Sequence, residues 1–375
     1  MSSKVFFLDM RADSRRTVMQ KFQSLIEHLE PGSIVQPGEA VAIKIHFGEK
    51  GNFSYIRPQF VRPVVQAVKT IGAHPFLTDC NTLYVGSRSD SVNHLTVALQ
   101  NGFAYAVVDA PIIIADGLYG GAHKEITMDL PCCPIAYIGA DIVAAEAMIT
   151  MTHFKGHELT SFGGALKNMG MGCASRAGKL FQHSNVSPTI RAKNCEGCGI
   201  CVRRCPVDAI ALHSRPEDKR KLAVKDDKKC IGCGDCVVAC HFNAMVIRFD
   251  TQLPELMRRM VVHAKASLMG KEKKSFHISL ITQVSPLCDC NPFTDAPIVP
   301  DLGIMGSVDP VALDAAAVDM VNKAPGMLNS SLACGHKPGE DKFKALYPNI
   351  DWEVQLDYAQ EIGLGSRVYE LVTIN

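Results

Sequence analysis

Eight cysteines in two equal runs constrain this chain more than any other feature. Cys195, Cys198, Cys201 and Cys205 read C-x2-C-x2-C-x3-C and are followed by Pro206; Cys230, Cys233, Cys236 and Cys240 repeat the spacing 35 residues later. The match extends past the cysteines: KNCEGCGICVRRCPVDAI lies over KKCIGCGDCVVACHFNAM, with Gly197 over Gly232 and Gly199 over Gly234. Such a repeat predicts two copies of one supersecondary unit related by an approximate two-fold. Three thiolates in a tight glycine-containing loop can take three irons of one 4Fe–4S cube. The fourth cysteine opens a helix that points away, so it ligates the other cube. This assigns Cys195, Cys198, Cys201 and Cys240 to one cluster, and Cys205, Cys230, Cys233 and Cys236 to a second. Zinc centres take four ligands from two C-x2–4-C pairs, and two duplicated sets of four fit that pattern poorly.

Composition sets the frame. With 47% apolar and 21% charged residues the chain has material for a core, which excludes disorder, collagen and coiled coil. MSSKVFFLDMRADSRR is too short in apolar residues for a signal peptide, and no stretch reaches the roughly 18 of a spanning helix. A cytoplasmic protein without membrane association is expected, whose fifteen Cys stay reduced rather than forming disulfides. Lys and Arg total 39 against 38 Asp and Glu, so no field draws nucleic acid or an anionic surface. Thr189 to Asp250 alone holds twelve Lys and Arg against eight acids. Two oxidised cubes with their thiolates, about −2 each, roughly cancel that excess. Only Phe242 and Phe249 could stack on bases there, so a nucleic-acid partner is not expected.

Either side of this segment, strands and helices alternate. VAIKIHF (41–47), HPFLTDC (74–80), AYAVVDAPIII (104–114) and SFHISLITQV (275–284) read as strands. PQFVRPVVQAVKTIGA (58–73), SVNHLTVALQNGF (91–103) and DPVALDAAAVDMVNKA (309–324) read as helices, the last with Asp309 as N-cap and Pro310 in the first turn. IGADIVAAEAMITMTHF runs from a short helix into a strand ending near Thr152. The expected fold class is α/β, a mainly parallel sheet host domain over 1–188 and 251–375, interrupted by a small α+β domain over 189–250.

Ligands of such sheets bind beyond the carboxyl ends of the strands. That singles out His46 with Glu49, Asp79 with Cys80 and Asn81, and His153 with Lys155 and His157. The richest stretch is THFKGHELTSFGGALKNMGMGC (152–173). Lys167, His153 and His157 are its catalytic candidates, and Gly163, Gly164 and Asn168 its cofactor-binding candidates. Lys155 and Lys167 could pair with a phosphate or carboxylate. A plain glycine-rich loop, an anion or organic-cofactor site and a metal site all remain open. The stretch is neither a Walker loop nor GxGxxG, and Gly156 argues against a helix that would bring His153 and His157 to one metal. Cys288-Asp-Cys290, upstream of Asp301, Asp309 and Asp314, is a possible further metal or redox-active thiol site. Cys80 and Cys334 read as small buried hydrophobes.

The segment from Thr189 to Asp250 resembles the bacterial two-cluster ferredoxins. His241 replaces their second proline, and the link RPEDKRKLAVKDDKK is longer than theirs and reads as an exposed hairpin with LAV as a short strand. The host resembles the domain-of-unknown-function 362 family through KIHFGEKGN, HFKGHELTSFGGALKNMGMG and CDCNPFTDAPIVPDLGIMGSVDPVALDAA. Many members carry an inserted pair of ferredoxin motifs, so the resemblance implies a ferredoxin-like insert with two 4Fe–4S clusters; it brings no catalytic residues. The Gly/His/Lys loop is faintly similar to the nickel-dependent lactate racemases, where His and Lys hold a metal–pincer cofactor.

Iron–sulfur clusters exchange single electrons. The expectation is an electron-transfer protein or oxidoreductase whose clusters pass electrons to or from a host-domain ligand. It implies a redox partner protein, a small-molecule substrate and a low-oxygen setting. The alternatives are a racemase-like, non-redox metal or cofactor enzyme with structural clusters, its metal held by His46, His153 or His157, and a non-catalytic carrier or assembly factor.

Overall fold

The computed structural model describes residues 2–84, 86–184, 188–214, 220–247 and 251–374. Its centre is an eight-stranded sheet: β1 (Ser3–Asp9), β2 (Ala40–Lys44), β3 (His74–Asp79), β4 (Ile112–Ile114), β5 (Ala147–His153), β6 (Ser275–Ile281), β7 (Gly303–Ser307) and β8 (Tyr369–Thr373), in the order β8-β1-β7-β6-β5-β2-β3-β4. Only β7 runs antiparallel to its neighbours. AMITMTH and SFHISLI are buried along their whole length, because a mostly parallel sheet is covered on both faces and its strands need no polar side.

Each face has its own apolar layer. Val41, Ile43, Ile149 and Ile278 meet the helices Val18–His28 and Val61–Thr70 on one face. Ala42 and Met148 meet the helices Leu253–Ser267 and Pro310–Lys323 on the other. Helix Val61–Thr70 buries Val61, Val64, Val65 and Val68, the three-and-four spacing of a single stripe. Asp309 caps the last-named helix as expected, accepting from Val311 N at 2.9 Å and Ala312 N at 3.0 Å.

Two local readings differ. Of the 104–114 stretch only Ile112–Ile114 is strand, because Tyr105–Val108 closes a helical turn that ends at Asp109 with φ 61°. The 152–173 stretch is not one loop: Lys155–His157 and Ser161–Gly163 pair as a tight hairpin, and Ala165–Gly170 is a helix.

Thr189 to Ile247 has a small core of its own, built on Ile210, Ala223, Val237 and Met245 together with buried cysteines. Thr189–Ile190 pairs antiparallel with Met245–Val246. The charged link does form a hairpin, with Ile210–Ser214 against Lys221–Lys225 and LAV inside the second strand. Residues 215–219 of the link, and Phe249 and Asp250 at the segment's end, lie outside the described residues.

Buried histidines tie host stability to pH. Burial pushes His263 down to about 4 and His277 down to about 3. The His263 ring is locked neutral, Nδ1 donating to Arg259 O at 2.8 Å and Nε2 accepting from Tyr137 N at 3.4 Å. Unfolded histidine titrates near 6.5, so below that pH the unfolded chain takes up protons that the folded one refuses. Their contribution is complete above about pH 6.5 and is lost as pH falls toward 4, at roughly 1.4 kcal/mol per pH unit for each ring. Urea denaturation followed by far-ultraviolet dichroism from pH 7 to 4.5 should show that slope. His263→Gln, which keeps a donor and an acceptor, should lower it by one ring's share.

Candidate functional site

Crossing from β2 to β5 reverses the direction in which the sheet is built, and a cleft opens there beyond the carboxyl ends of the strands. It encloses about 1150 Å³ of space between atoms, open solvent included, and is lined by residues from β2, β3, β5, the 155–172 segment and the 288–290 turn. His46, Asp79, Cys80, His153, Lys155, His157, Gly163, Gly164, Lys167, Asn168, Cys288 and Cys290 all reach it. Stretches far apart in sequence thus meet at one site.

Their roles divide. Lys44, at the end of β2, is fully buried, with Nζ 3.1 Å from Asp79 Oδ1 and donating to Asn168 Oδ1 at 2.7 Å. Asn168 Nδ2 in turn donates to Met151 O and Thr152 Oγ1, both at 3.0 Å, so Asn168 orients Lys44. Burial opposes the charge on Asp79, but Lys44 and His94 hold its carboxyl well below the usual carboxylate range. Glu49 stands behind the cleft wall, 3.2 Å from Arg88 Nε, and Arg88 also donates to Tyr84 Oη at 2.8 Å.

The glycines serve packing. A Cβ on Gly164 would overlap the Asp314 carboxylate. That carboxylate accepts from Ala165 N at 2.7 Å and Leu166 N at 2.9 Å, capping the helix that carries Lys167. Burial nevertheless pushes Asp314 up to about 7. A Cβ on Gly156 would overlap Pro286 O, so this glycine lets the hairpin lie against the 285–290 segment. Asp301 accepts from Gln283 N, and Asp309 and Asp314 cap helices. All three acids thus have structural hydrogen bonds elsewhere in the host.

Both ring nitrogens of His153 are engaged: Nδ1 with Asp289 Oδ1 and Nε2 with Thr282 O, each at 2.9 Å. Lys155 Nζ lies 3.3 Å from Asp289 Oδ2. These two side chains anchor the turn from within the cleft lining. His157 Nδ1 accepts from Leu159 N at 3.1 Å, and its Nε2 lies 3.9 Å from Glu158 Oε2. Lys167 Nζ is 3.9 Å from the Cys288 sulfur. A bond from Cys290 holds the Cys288 thiol well below its ordinary range, with Lys167 and His157 adding to it against burial. Cys80 is buried as expected, but Cys334 is exposed.

The eight cysteines of the duplicated runs line two further cavities. Cys195, Cys198, Cys201 and Cys240 share one of about 350 Å³ between atoms, and Cys205, Cys230, Cys233 and Cys236 share another of about 330 Å³. The grouping is the crossed one, each run lending its fourth cysteine to the other set. Gly197, Gly199, Gly232 and Gly234 all take φ near 70°, which brings the loop backbone around the sulfurs. Among the described residues no three His, Cys, Asp or Glu side chains converge on one point as a single ion requires. A cube presents four separate irons, one per thiolate, and asks instead for cysteines spread around a cavity.

The two cavities differ in surroundings. The loop of the second packs on the cleft wall: Gly234 faces Leu83, Gly232 faces Leu180, and Asp235 meets Arg176 at 3.2 Å. Leu83 lines the cleft itself, and Arg176 Nε donates to Thr82 O at 3.1 Å. Arg204, one residue before Cys205, stacks 3.3 Å from the Tyr119 ring centroid. The first cavity has exposed Cys198 on its rim.

Lys44, Arg88, Tyr84 and Asp289 were not among the sequence candidates. A lysine inside the apolar run VAIKIHF was a signal for the first, since a charge buried in a central strand needs a built partner. Arg88 and Tyr84 sit in an irregular loop without a comparable mark.

Fold and cleft define an α/β protein with a ligand-sized site at a topological switch point. A family model described as "Domain of unknown function (DUF362)" matches residues 41–319, about three quarters of the chain, and the chain belongs to that family. Among solved structures it is similar to the lactate racemase apoprotein from Thermoanaerobacterium thermosaccharolyticum, at 9% identity and TM-score 0.41 over 85% of this chain and 58% of that one. It is also similar to a protein from Thermotoga maritima, at 8% identity and TM-score 0.38 over 94% and 60%. The chain spans about three fifths of the length of these structures, and likeness at this level carries no argument about chemistry. No curated protein matches. Among the described residues no helix is long and apolar enough to cross a membrane.

Proposed function

We propose that this protein is an iron–sulfur oxidoreductase in which a ferredoxin-like insert, residues 189–250, serves a ligand site in the host cleft. The observation that carries the reading is the pair of four-cysteine cavities with crossed membership, one of them packed on the cleft wall. Cys195, Cys198, Cys201 and Cys240 would hold one 4Fe–4S cluster, and Cys205, Cys230, Cys233 and Cys236 the other. When bound, such clusters supply one-electron transfer at potentials tuned by hydrogen bonds to sulfur. N–H groups are in place for this, with Ala209 N donating to Cys205 Sγ and Ala244 N to Cys240 Sγ, both at 3.2 Å.

The chain's own residues give the arrangement a direction. Exposed Cys198 marks the first set as the side open to a redox partner protein. Arg176, Leu83 and Leu180 seat the second set against the cleft. Within the cleft, Lys44, Asp79, Asn168 and Arg88, with Glu49 paired to Arg88 from behind, form a rigid, charge-balanced floor, and Lys167 and His157 are the groups that meet a reacting atom at Cys288.

Elemental analysis of anaerobically purified protein tests the reading. About eight irons and eight sulfides per chain are expected, with no other metal in stoichiometric amount. Four irons or fewer in folded protein would defeat it.

A further inference from the structure

Cys288 and Cys290 differ in setting from the other thiols of the host. Burial pushes Cys133 up to about 12 and Cys173 up to about 11, which leaves both inert. Cys288 and Cys290 instead occupy the first and third positions of a turn closed by Asn291 N to Cys288 O at 3.0 Å. Cys290 N donates to Cys288 Sγ at 3.4 Å. Such a turn keeps the two Cα atoms near each other, as a disulfide requires.

The turn is held from several sides. Asp289, between the cysteines, points away from them into the grip of His153 and Lys155. Glu49 N donates to Asp289 O at 3.0 Å, and Asn52 Nδ2 donates to Asn291 O at 3.2 Å. A frame this rigid permits a change confined to the two sulfurs. Both cysteines line the cleft, and Lys167 and His157 stand at Cys288.

We propose that Cys288 and Cys290 form a redox-active dithiol that cycles with its own disulfide in the host cleft and reduces a small disulfide substrate. The Cys288 thiolate attacks one sulfur of the substrate R–S–S–R′, forming a Cys288–S–S–R bond and releasing R′–S⁻. The Cys290 thiol gives up its proton to R′–S⁻, and its sulfur displaces R–S⁻ as the Cys288–Cys290 bond forms. The dithiol has then lost two electrons and the substrate has gained them. In the return direction the Cys288–Cys290 bond breaks on uptake of two electrons and one proton. Cys290 takes the proton, and Cys288 remains a thiolate beside Lys167. Those electrons come from a donor of the iron–sulfur class, and for its reductant alone the inference rests on the function proposed above.

Intact protein, purified without oxygen, would be equilibrated in glutathione buffers from fully reduced to fully oxidised. Free thiols would then be trapped with N-ethylmaleimide and the peptides weighed, with iron measured on the same samples. The expected result is that the peptide bearing both cysteines passes from two labels to none in a single two-electron transition. Cys290→Ser should leave Cys288 joined to glutathione instead, which distinguishes attack by Cys288 from oxidation elsewhere. Persistence of both labels in oxidised buffer, with iron present or absent, would overturn the inference. A cycling pair in protein that lacks iron would uphold it and defeat the iron–sulfur reading instead.

Discussion

Cys240→Ala is expected to halve the iron of the anaerobically purified protein, from about eight to about four per chain, and to leave the same surviving spectrum as Cys198→Ala. In sequence Cys240 ends the second run, but in the fold it lines the cavity of Cys195, Cys198 and Cys201. Cys205 ends the first run and lines the cavity of Cys230, Cys233 and Cys236. Each fourth cysteine follows a short helix, Ile200–Arg204 or Asp235–Val238, rather than opening one as the spacing suggests, and the helix carries it to the other set. The paired variants therefore separate two ligation schemes with the same iron count. Under crossing, Cys240→Ala matches Cys198→Ala, and Cys205→Ala matches Cys233→Ala, by electron paramagnetic resonance of the reduced protein. If Cys240→Ala matches Cys233→Ala instead, the crossed assignment is wrong.

Lys167→Met is expected to move the midpoint of the pH profile of Cys288 alkylation up by about one unit, and so to slow alkylation by up to about tenfold at pH below that midpoint. The thiolate is the reactive form, and a cation at close range favours it. Lys167 Nζ lies 3.9 Å from the sulfur. Burial opposes the lysine's own charge, yet Cys288 and Cys290 raise its basicity, as a cation held beside a thiolate requires. His157 and Cys290 act on the same sulfur, and His46, Tyr84 and Tyr347 also face it. Methionine keeps the length and apolar stem of lysine and removes only the charge, so loss of packing does not imitate the effect. The readout is iodoacetamide labelling of Cys288 by peptide mass between pH 5 and 9. An unmoved midpoint would remove Lys167 from this role.

Strand and helix periodicity in the sequence alone determined the host fold to a good approximation. Alternation of strands and helices on either side of the cysteine segment already implied a mainly parallel sheet with helices on both faces. Asp309-Pro310 marked a helix start for a local reason, a carboxylate within reach of the first free N–H groups. The duplicated cysteine spacing is likewise local, and the two groups of four follow from loop length and helix direction.

Only the tertiary structure decided what the host residues do. His153 was legible as a polar residue at a strand end, but a sequence does not show that Asp289 and the Thr282 carbonyl occupy both its nitrogens. The glycines of the 152–173 stretch suggested approach to a ligand; Gly164 instead makes room for Asp314 and Gly156 for Pro286. Lys44 and Asn168 stand 124 residues apart, as do many partners brought together where the sheet reverses its winding. Hydrogen bonding and charge fall off within a few ångströms, so a side chain's role depends on neighbours in space, which strand order sets and local sequence does not carry. The grouping of the eight cysteines around two cavities was legible because it is written within a few residues, whereas the cleft acquired its arrangement from chain crossings.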